Sequence, residues 1–550
     1  MVKKILAILI AAITMCAPLC ACTPENDGEE IDPNRTQLYI GIYEGGWGRE
    51  WIDEMKKGFE ALYPEVQLMI EGKKEEFAND NLKASIESGQ YDMYFSTASP
   101  SDFVANESVN NKLMDITEAV TTPLTEYGET RSIEDKMDPF MQSYMKASNS
   151  SGKYYTIPMY TSFYNIVYDV DLFENDRKPL YFAEDGTFTS GKTESGAKAK
   201  SAGQDGVAGT YDDGLPVTWD DFKKLLSKMV EYNICPFVWG SDVSAYRADY
   251  FTTVWANYEG EENFKLNFTF DGIDTSQAGT DTDESGRTGL RITEQNGYEL
   301  QKQPGKRYAL EMAKYIINNN LYYGESFYGS FDYLAAQNVY LYSKYRESEG
   351  GQRIAMLIEG GWWENEAKAT IEEMVTKYGD EYANRRFGIM TVPRFEGGAT
   401  EKTLYSVTGN SVVLIRKNAK QPDWAIKFLR YSTTDENLRL YTRMTGSTRA
   451  YDYELTKEDL EQMSYYKCSL WDIFSNENTG LVYAYGPSKL ALNNQSYFRS
   501  TWNWNAVTST GRQLNEPLTV FKQYGDQVSV DDYLTALYDY HKSNWNSLNG

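Results

Sequence analysis

The chain has 550 residues, a net charge of −26 and one histidine, His541. So acidic a body is repelled by nucleic acid and by anionic lipid, and a single histidine argues against a Ser/His/Asp or Cys/His centre and against a His-rich zinc site. The length is that of several average domains, so the core can be large.

In chain order, residues 1–21 read as a leader. Lys3 and Lys4 precede an apolar run, 5–15, too short to span a bilayer and of the length of a secretory core segment. Leu19, Cys20, Ala21 and Cys22 follow the pattern of a bacterial lipoprotein signal, which makes Cys22 the expected site of lipidation. Plain secretion is the alternative. Losing two leader lysines takes the net charge to −28, so acyl chains on Cys22 would be the only membrane anchor. Residues 22–36 have almost nothing to bury and read as a tether. With Cys22 lipidated, Cys235 and Cys468 are left either to pair or to remain two buried thiols.

Residues 37–43 alternate Leu38, Ile40 and Ile42 on one face and predict a strand. Trp51, Ile52, Met55, Phe59 and Leu62 recur at helical spacing until Pro64. A strand at 66–70, a helix at 77–88 and a strand at 91–95 follow. This β-α-β-α-β alternation predicts an α/β fold: a mostly parallel sheet flanked by helices, with ligand sites beyond the carboxyl ends of the strands. Lys153 to Phe173 gives two β-rich runs broken at Pro158, with Tyr160, Thr161 and Ser162 beside the break. That suits either a crossing between two lobes or an ordinary pair of core strands.

Residues 184–214 hold seven glycines and read as a functional loop or a mobile insert. Within them Asp205, Asp212 and Asp213 resemble a calcium loop without the EF-hand spacing; a solvated acidic turn is the competing expectation. A helix at 220–232 leads to a strand at 234–240, and a second polar insert spans 259–305. Then come a helix at 307–319, strands at 353–358, 387–392 and 411–415, and helices at 422–431 and 436–444. No period of 20–50 residues argues for a solenoid or propeller.

The tetrapeptide EGGW occurs at Glu44–Trp47 and again at Glu359–Trp362. Each copy is expected at the carboxyl end of a strand, where glycines let the backbone approach a ligand, and the two would face each other if their strands lie in different lobes. They form neither a dinucleotide fingerprint nor a Walker loop.

The leader, the opening β-α-β, YTIPMYTSFYNIVYDVDLF, RIAMLIEGGWW, FGIMTVPRF and SVVLIRKNAKQPDWAIKFLRYSTT, taken in order, resemble carbohydrate-type extracellular solute-binding lipoproteins of ABC importers. The resemblance implies a two-lobed clamshell, lobe one being 37–157 with 409–458 and lobe two 158–408 with 459–550. It implies a monomer outside the cytoplasm that captures a sugar or oligosaccharide and delivers it to a permease, with no cofactor required. By position Trp362 matches the aromatic that such proteins stack on sugar, and Tyr160 and Trp239 lie in cleft-facing segments. Glu44 and Trp47 would come from the loop after the first strand, Ser99 from the loop after the third, and Trp363 and Arg449 are further candidates. Aromatic planes with carboxylate and hydroxyl partners are what a sugar ring needs. The alternatives are a glycoside hydrolase, which needs two placed carboxyls, and a peptide-binding or sensory lipoprotein of the same fold.

Overall fold

The computed structural model describes residues 30–97, 111–147, 152–379, 384–406, 411–476, 478–484 and 486–548. The leader, Cys22 and Ser99 lie outside them.

The first lobe starts as the sequence pattern demands. Strand β1 (Thr36–Ile42) buries Leu38, Ile40 and Ile42, and helix α1 (Glu50–Leu62) lays Trp51, Ile52, Met55 and Phe59 against the same core. Strand β2 (Val66–Gly72), helix α2 (Asn79–Ser88), strand β3 (Met93–Ser96) and strand β4 (Thr156–Pro158) follow. The second lobe takes strand β5 (Tyr164–Asp169), helix α3 (Trp219–Glu231), strand β6 (Ile234–Val238), helix α4 (Ser244–Thr269), helix α5 (Pro304–Asn318), helix α6 (Tyr333–Ser348), strand β7 (Arg353–Gly360), strand β8 (Phe387–Met390) and strand β9 (Lys402–Ser406). The chain returns with strand β10 (Val412–Ile415), helix α7 (Pro422–Tyr431) and helix α8 (Asp435–Thr445), and ends with helix α9 (Tyr465–Ser475), strand β11 (Thr479–Tyr483) and helix α10 (Val530–Leu548) among its later elements.

Two sheets organise these elements, in the orders β2-β1-β3-β10-β4 and β8-β5-β7-β6. Both are mostly parallel, as the opening alternation predicts, with all strands but one running the same way. In the first, β1, β2 and β3 are parallel and β10 runs against β3 and β4; in the second, β5 runs against β7 and β8 while β6 and β7 are parallel. Each sheet thus contains one reversed strand. In both cases it is the strand that has just crossed from the other lobe, and so enters from the opposite end.

The first crossing is 159–163. Pro158 still pairs with Val412 in the first sheet, one residue beyond the expected boundary, and Tyr164 opens the second. The chain leaves β9 at Ser406 and is back in the first sheet with β10, and the third crossing follows α8, which packs on α1. Isolated bridges Thr161–Thr448 and Phe163–Ser406 tie the crossings together.

Both inserts are built in. Lys200 stacks over Tyr181 at 3.8 Å and pairs with Glu174 at 3.0 Å, fixing 184–214 to the lobe. The 259–305 stretch begins inside α4, which the sequence reading misses because its apolar residues run all round it; Gly260, at φ 78°, kinks it. Beyond α4 a three-stranded antiparallel sheet follows. Buried Lys306 then clamps this region, donating to Gln301 Oε1 and the Asn503 carbonyl while lying 4.1 Å from the Trp255 ring.

Candidate functional site

The two EGGW copies stand at the cleft ends of β1 and β7, one in each lobe, but not at the same register. Glu44 lies two residues past the end of β1, whereas Glu359 and Gly360 are the last two residues of β7. Trp47 donates its indole N–H to Ser447 Oγ at 2.9 Å and meets Tyr160, ring centroids 4.1 Å apart, and Trp362, 5.6 Å apart and edge-on. Trp362 also touches Tyr164 at 5.4 Å and Tyr246 at 5.7 Å. The structure therefore brings Trp47, Tyr160 and Trp362 together, and adds two tyrosines.

The paired glycines have a steric purpose here. A Cβ on Gly46 would lie 2.5 Å from Trp362 Cδ1, and one on Gly360 would lie 2.5 Å from Trp362 Cη2. The indole is held between the backbones of both loops, which only glycine permits. Carbon contacts need about 3.5–4.0 Å, so a flat ring sandwiched between the two indoles needs about 7–8 Å between them. At 5.6 Å the cleft is shut, and a ligand entering between these rings must part the lobes.

Polar contacts close the rim. Lys368 pairs with Glu50 at 2.6 Å, Lys74 donates to the Tyr333 hydroxyl at 3.2 Å, Lys467 donates to the Met444 carbonyl at 2.6 Å, and Asn365 donates to the Thr445 carbonyl. Three carboxyls in the surroundings of these rings are shifted by burial. Burial, and secondarily Asp53, raises the pKa of half-buried Glu44. Burial, with Glu366 beside it, holds Glu359 well above the usual carboxylate range. Burial also pushes Asp249, near Tyr164, up to about 7.

Three other candidates belong to cores. Trp363 is fully buried against Phe387, Tyr466 and Tyr340, with centroids at 4.9, 5.5 and 5.8 Å. Trp239 packs on Tyr322 and Phe327, and the guanidinium of Arg449 lies between Tyr441 and Tyr451 while donating to the Ser432 carbonyl. Sequence reasoning missed Tyr164 and Tyr246, the two tyrosines against Trp362. Tyr164 lies in the stretch 153–173, so a signal existed; Tyr246, within α4, offered none.

The aspartates of the calcium expectation turn to the loop's own donors. Asp212 accepts the amides of Gln204 and Asp205 at 2.8 and 3.1 Å and the Thr210 hydroxyl, with Lys402 at 3.4 Å; Asp205 accepts from Val207 and Asp213 from Gly209. No group of three or more His, Cys, Asp or Glu side chains among the described residues is placed to hold a metal ion. Cys235 and Cys468 are separate buried thiols. A cavity of about 850 Å³, lined by Gln142, Tyr453, Trp471, Phe474 and Tyr483 among others, sits where the third crossing meets both lobes and shares no residue with the aromatic cleft. No helix among the described residues is long and apolar enough to cross a membrane.

Residues 43–438 match the family profile described as bacterial extracellular solute-binding protein. No curated protein sequence matches the chain. Among solved structures, RafE in complex with raffinose is 12% identical with a TM-score of 0.52, covering 94% of this chain and 100% of that one. A chitin oligosaccharide binding protein is 15% identical, TM-score 0.52, covering 94% and 100%. A structure described for xylan utilization by Caldanaerobius polysaccharolyticus is 11% identical, TM-score 0.53, covering 92% and 99%. At these identities the likeness shows a shared fold.

Proposed function

Since the chain belongs to the bacterial extracellular solute-binding protein family, we propose that it captures a sugar or oligosaccharide outside the cytoplasm and hands it to the permease of an ABC importer. The observation that carries this reading is the meeting of Trp47 and Trp362, one from each lobe, at the strand ends of a shut cleft. Aromatic planes flanked by carboxyls are the complement of a sugar's C–H faces and hydroxyl rim. The similar structures named for raffinose, chitin oligosaccharide and xylan utilization support the same ligand class.

A thermal-shift screen of mono- and oligosaccharides tests it, since a ligand at 100 times its Kd stabilises by about 2.7 kcal/mol. Trp362→Ala should then weaken the hit by about 2 kcal/mol, roughly thirtyfold, and leave the melting transition cooperative. A screen with no hit, or a hit that Trp362→Ala binds equally well, would overturn the proposal. The family supports capture without cleavage, and the same glycans should then be recovered intact after incubation.

Attachment through Cys22 completes the reading. The acidic body has no electrostatic affinity for a bilayer, so Cys22→Ser should move the protein from the membrane fraction to the soluble one. Membrane retention of that variant without detergent would rule the lipid anchor out.

A further inference from the structure

The cavity of about 850 Å³ at the third crossing has the size of a small-molecule site and a lining unlike that of the aromatic cleft. Lobe one supplies Asp138 and Gln142, lobe two supplies residues of α9 and β11, and the segment 450–455 lines it as well. Phe140 of lobe one stacks on Tyr483 of β11 with ring centroids 6.1 Å apart, so the two lobes meet at its wall.

Two kinds of group face the space. Tyr453, Trp471 and Phe474 form a run of rings with successive centroids 5.4 and 6.0 Å apart, the first two buried. Around them stand carboxyls, of which Asp135, Asp138, Asp452 and Glu454 are exposed and Glu261 is half-buried. Among the described residues no lysine or arginine shares the lining. Several of these acids keep an oxygen to offer. Asp138 accepts the amides of Phe140 and Met141 through Oδ1 alone, Asp452 pairs with Arg131 through Oδ2, and Glu261 pairs with Lys265 through Oε1. Glu454 has no partner among the described residues.

The rings carry an independent sign of a missing occupant. Trp471 is 8% exposed, yet its indole N–H makes no hydrogen bond among the described residues. A buried indole N–H normally finds an acceptor. Thr479, also on the lining, has a buried hydroxyl with no partner. Charge and shape then select the ligand. Carboxyls beside aromatic faces attract a positive charge that can lie against a ring, and they repel an anion. A bare metal ion does not suit the site, since no group of three or more His, Cys, Asp or Glu side chains among the described residues is placed to hold one.

We propose that this cavity is a second ligand site, separate from the Trp47–Trp362 cleft, which takes a small organic cation, an amine or guanidinium compound carrying a carbonyl or hydroxyl to accept from Trp471. The carboxyls of 452 and 454 hold the charge, and the Tyr453–Trp471–Phe474 run receives the flat or apolar face.

Isothermal titration of the purified mature chain with N-acetylargininamide and its neutral isostere N-acetylcitrullinamide tests this. The wild type should bind the cation and bind the isostere weaker by roughly tenfold or more, and the gap should shrink between about 50 and 500 mM salt. The double variant Asp452→Asn, Glu454→Gln, at exposed positions, should lose roughly tenfold in affinity for the cation, and Trp471→Phe, which keeps a ring and removes the N–H, roughly fivefold. Glucosamine, titrated by the same criteria, separates an amino sugar from a guanidinium compound as the better fit. Equal affinity for the two isosteres, no heat from either cation at 10 mM, or a folded double variant and a folded Trp471→Phe that both keep wild-type affinity would overturn the site. So would cation binding that is lost in Trp362→Ala and kept in the double variant, because it would place the cation in the cleft. The carbohydrate reading rests on its own screen and stands or falls apart from these outcomes.

Discussion

The two EGGW loops are the same four residues with different fates, and the difference comes from where each strand stops. In the first copy β1 has ended before Glu44, so its carboxyl is half-buried in a loop, and the chain runs on through Gly48 at φ 62° into α1. In the second, β7 continues through Glu359, which fixes the carboxyl opposite Asn165, and the chain runs on through Trp363 into the core of its lobe. A two-residue shift in strand ending turns a rim acid into a buried one. The tryptophans still meet, because each pair of glycines lets its loop fold over the strand end.

The largest effect expected from this contrast concerns the residue after the repeat. Trp363→Ala removes a fully buried ring and should cost about 3–5 kcal/mol of stability, with little change in the affinity of the protein that remains folded. Urea unfolding checks it, and a loss of affinity without a loss of stability would place Trp363 in the cleft.

Gly46→Ala acts between the copies. The added Cβ meets the Trp362 ring at 2.5 Å, so it should disfavour the shut form by about 1–3 kcal/mol through overpacking. Small-angle scattering should report a larger mean radius and titration a weaker ligand; an unchanged radius and affinity would mean that the indole yields freely.

The smallest effect is the pH response of the two acids. Glu359 has a folded pKa above its unfolded value, so its contribution to stability is full below the unfolded carboxylate pKa and is lost as pH rises through the folded one. Glutamine suffers no such loss. The melting temperature of Glu359→Gln relative to wild type, without ligand, should therefore climb between pH 4.5 and 8.5. Glu44→Gln should climb in the same direction but less, since Glu44 is only half-buried. Equal climbs would erase the distinction between the copies.

How much of this was legible beforehand varied with the physics involved. Helix α7 coincides with the expected 422–431, and β1, α1 and β7 differ by one or two residues at their ends, because hydrophobic period and proline stops act locally. Trp47, Tyr160 and Trp362 were legible as a cleft through the repeat and the family resemblance together. Burial of Trp239, Trp363 and Arg449 was not, since in a chain with 44 tyrosines an aromatic's exposure is decided by which helices cover it. Nor could four letters say that β7 runs on through the second glutamate. That is set by pairing with β5, nearly 200 residues away in sequence.

The reversed strand of the first lobe has a consequence for how the protein is made. Strand β4 joins its sheet only through β10, which is complete at Ile415 of 550 residues. A chain emerging from its N-terminus can assemble β1, β2 and β3 early, yet the hinge end of that lobe stays unanchored until β5 to β9 of the second lobe have followed. Such long-range closure is slow. Vectorial delivery across a membrane would hand over an unfinished first lobe for most of its passage, so both lobes should reach their final form together, late, and after release.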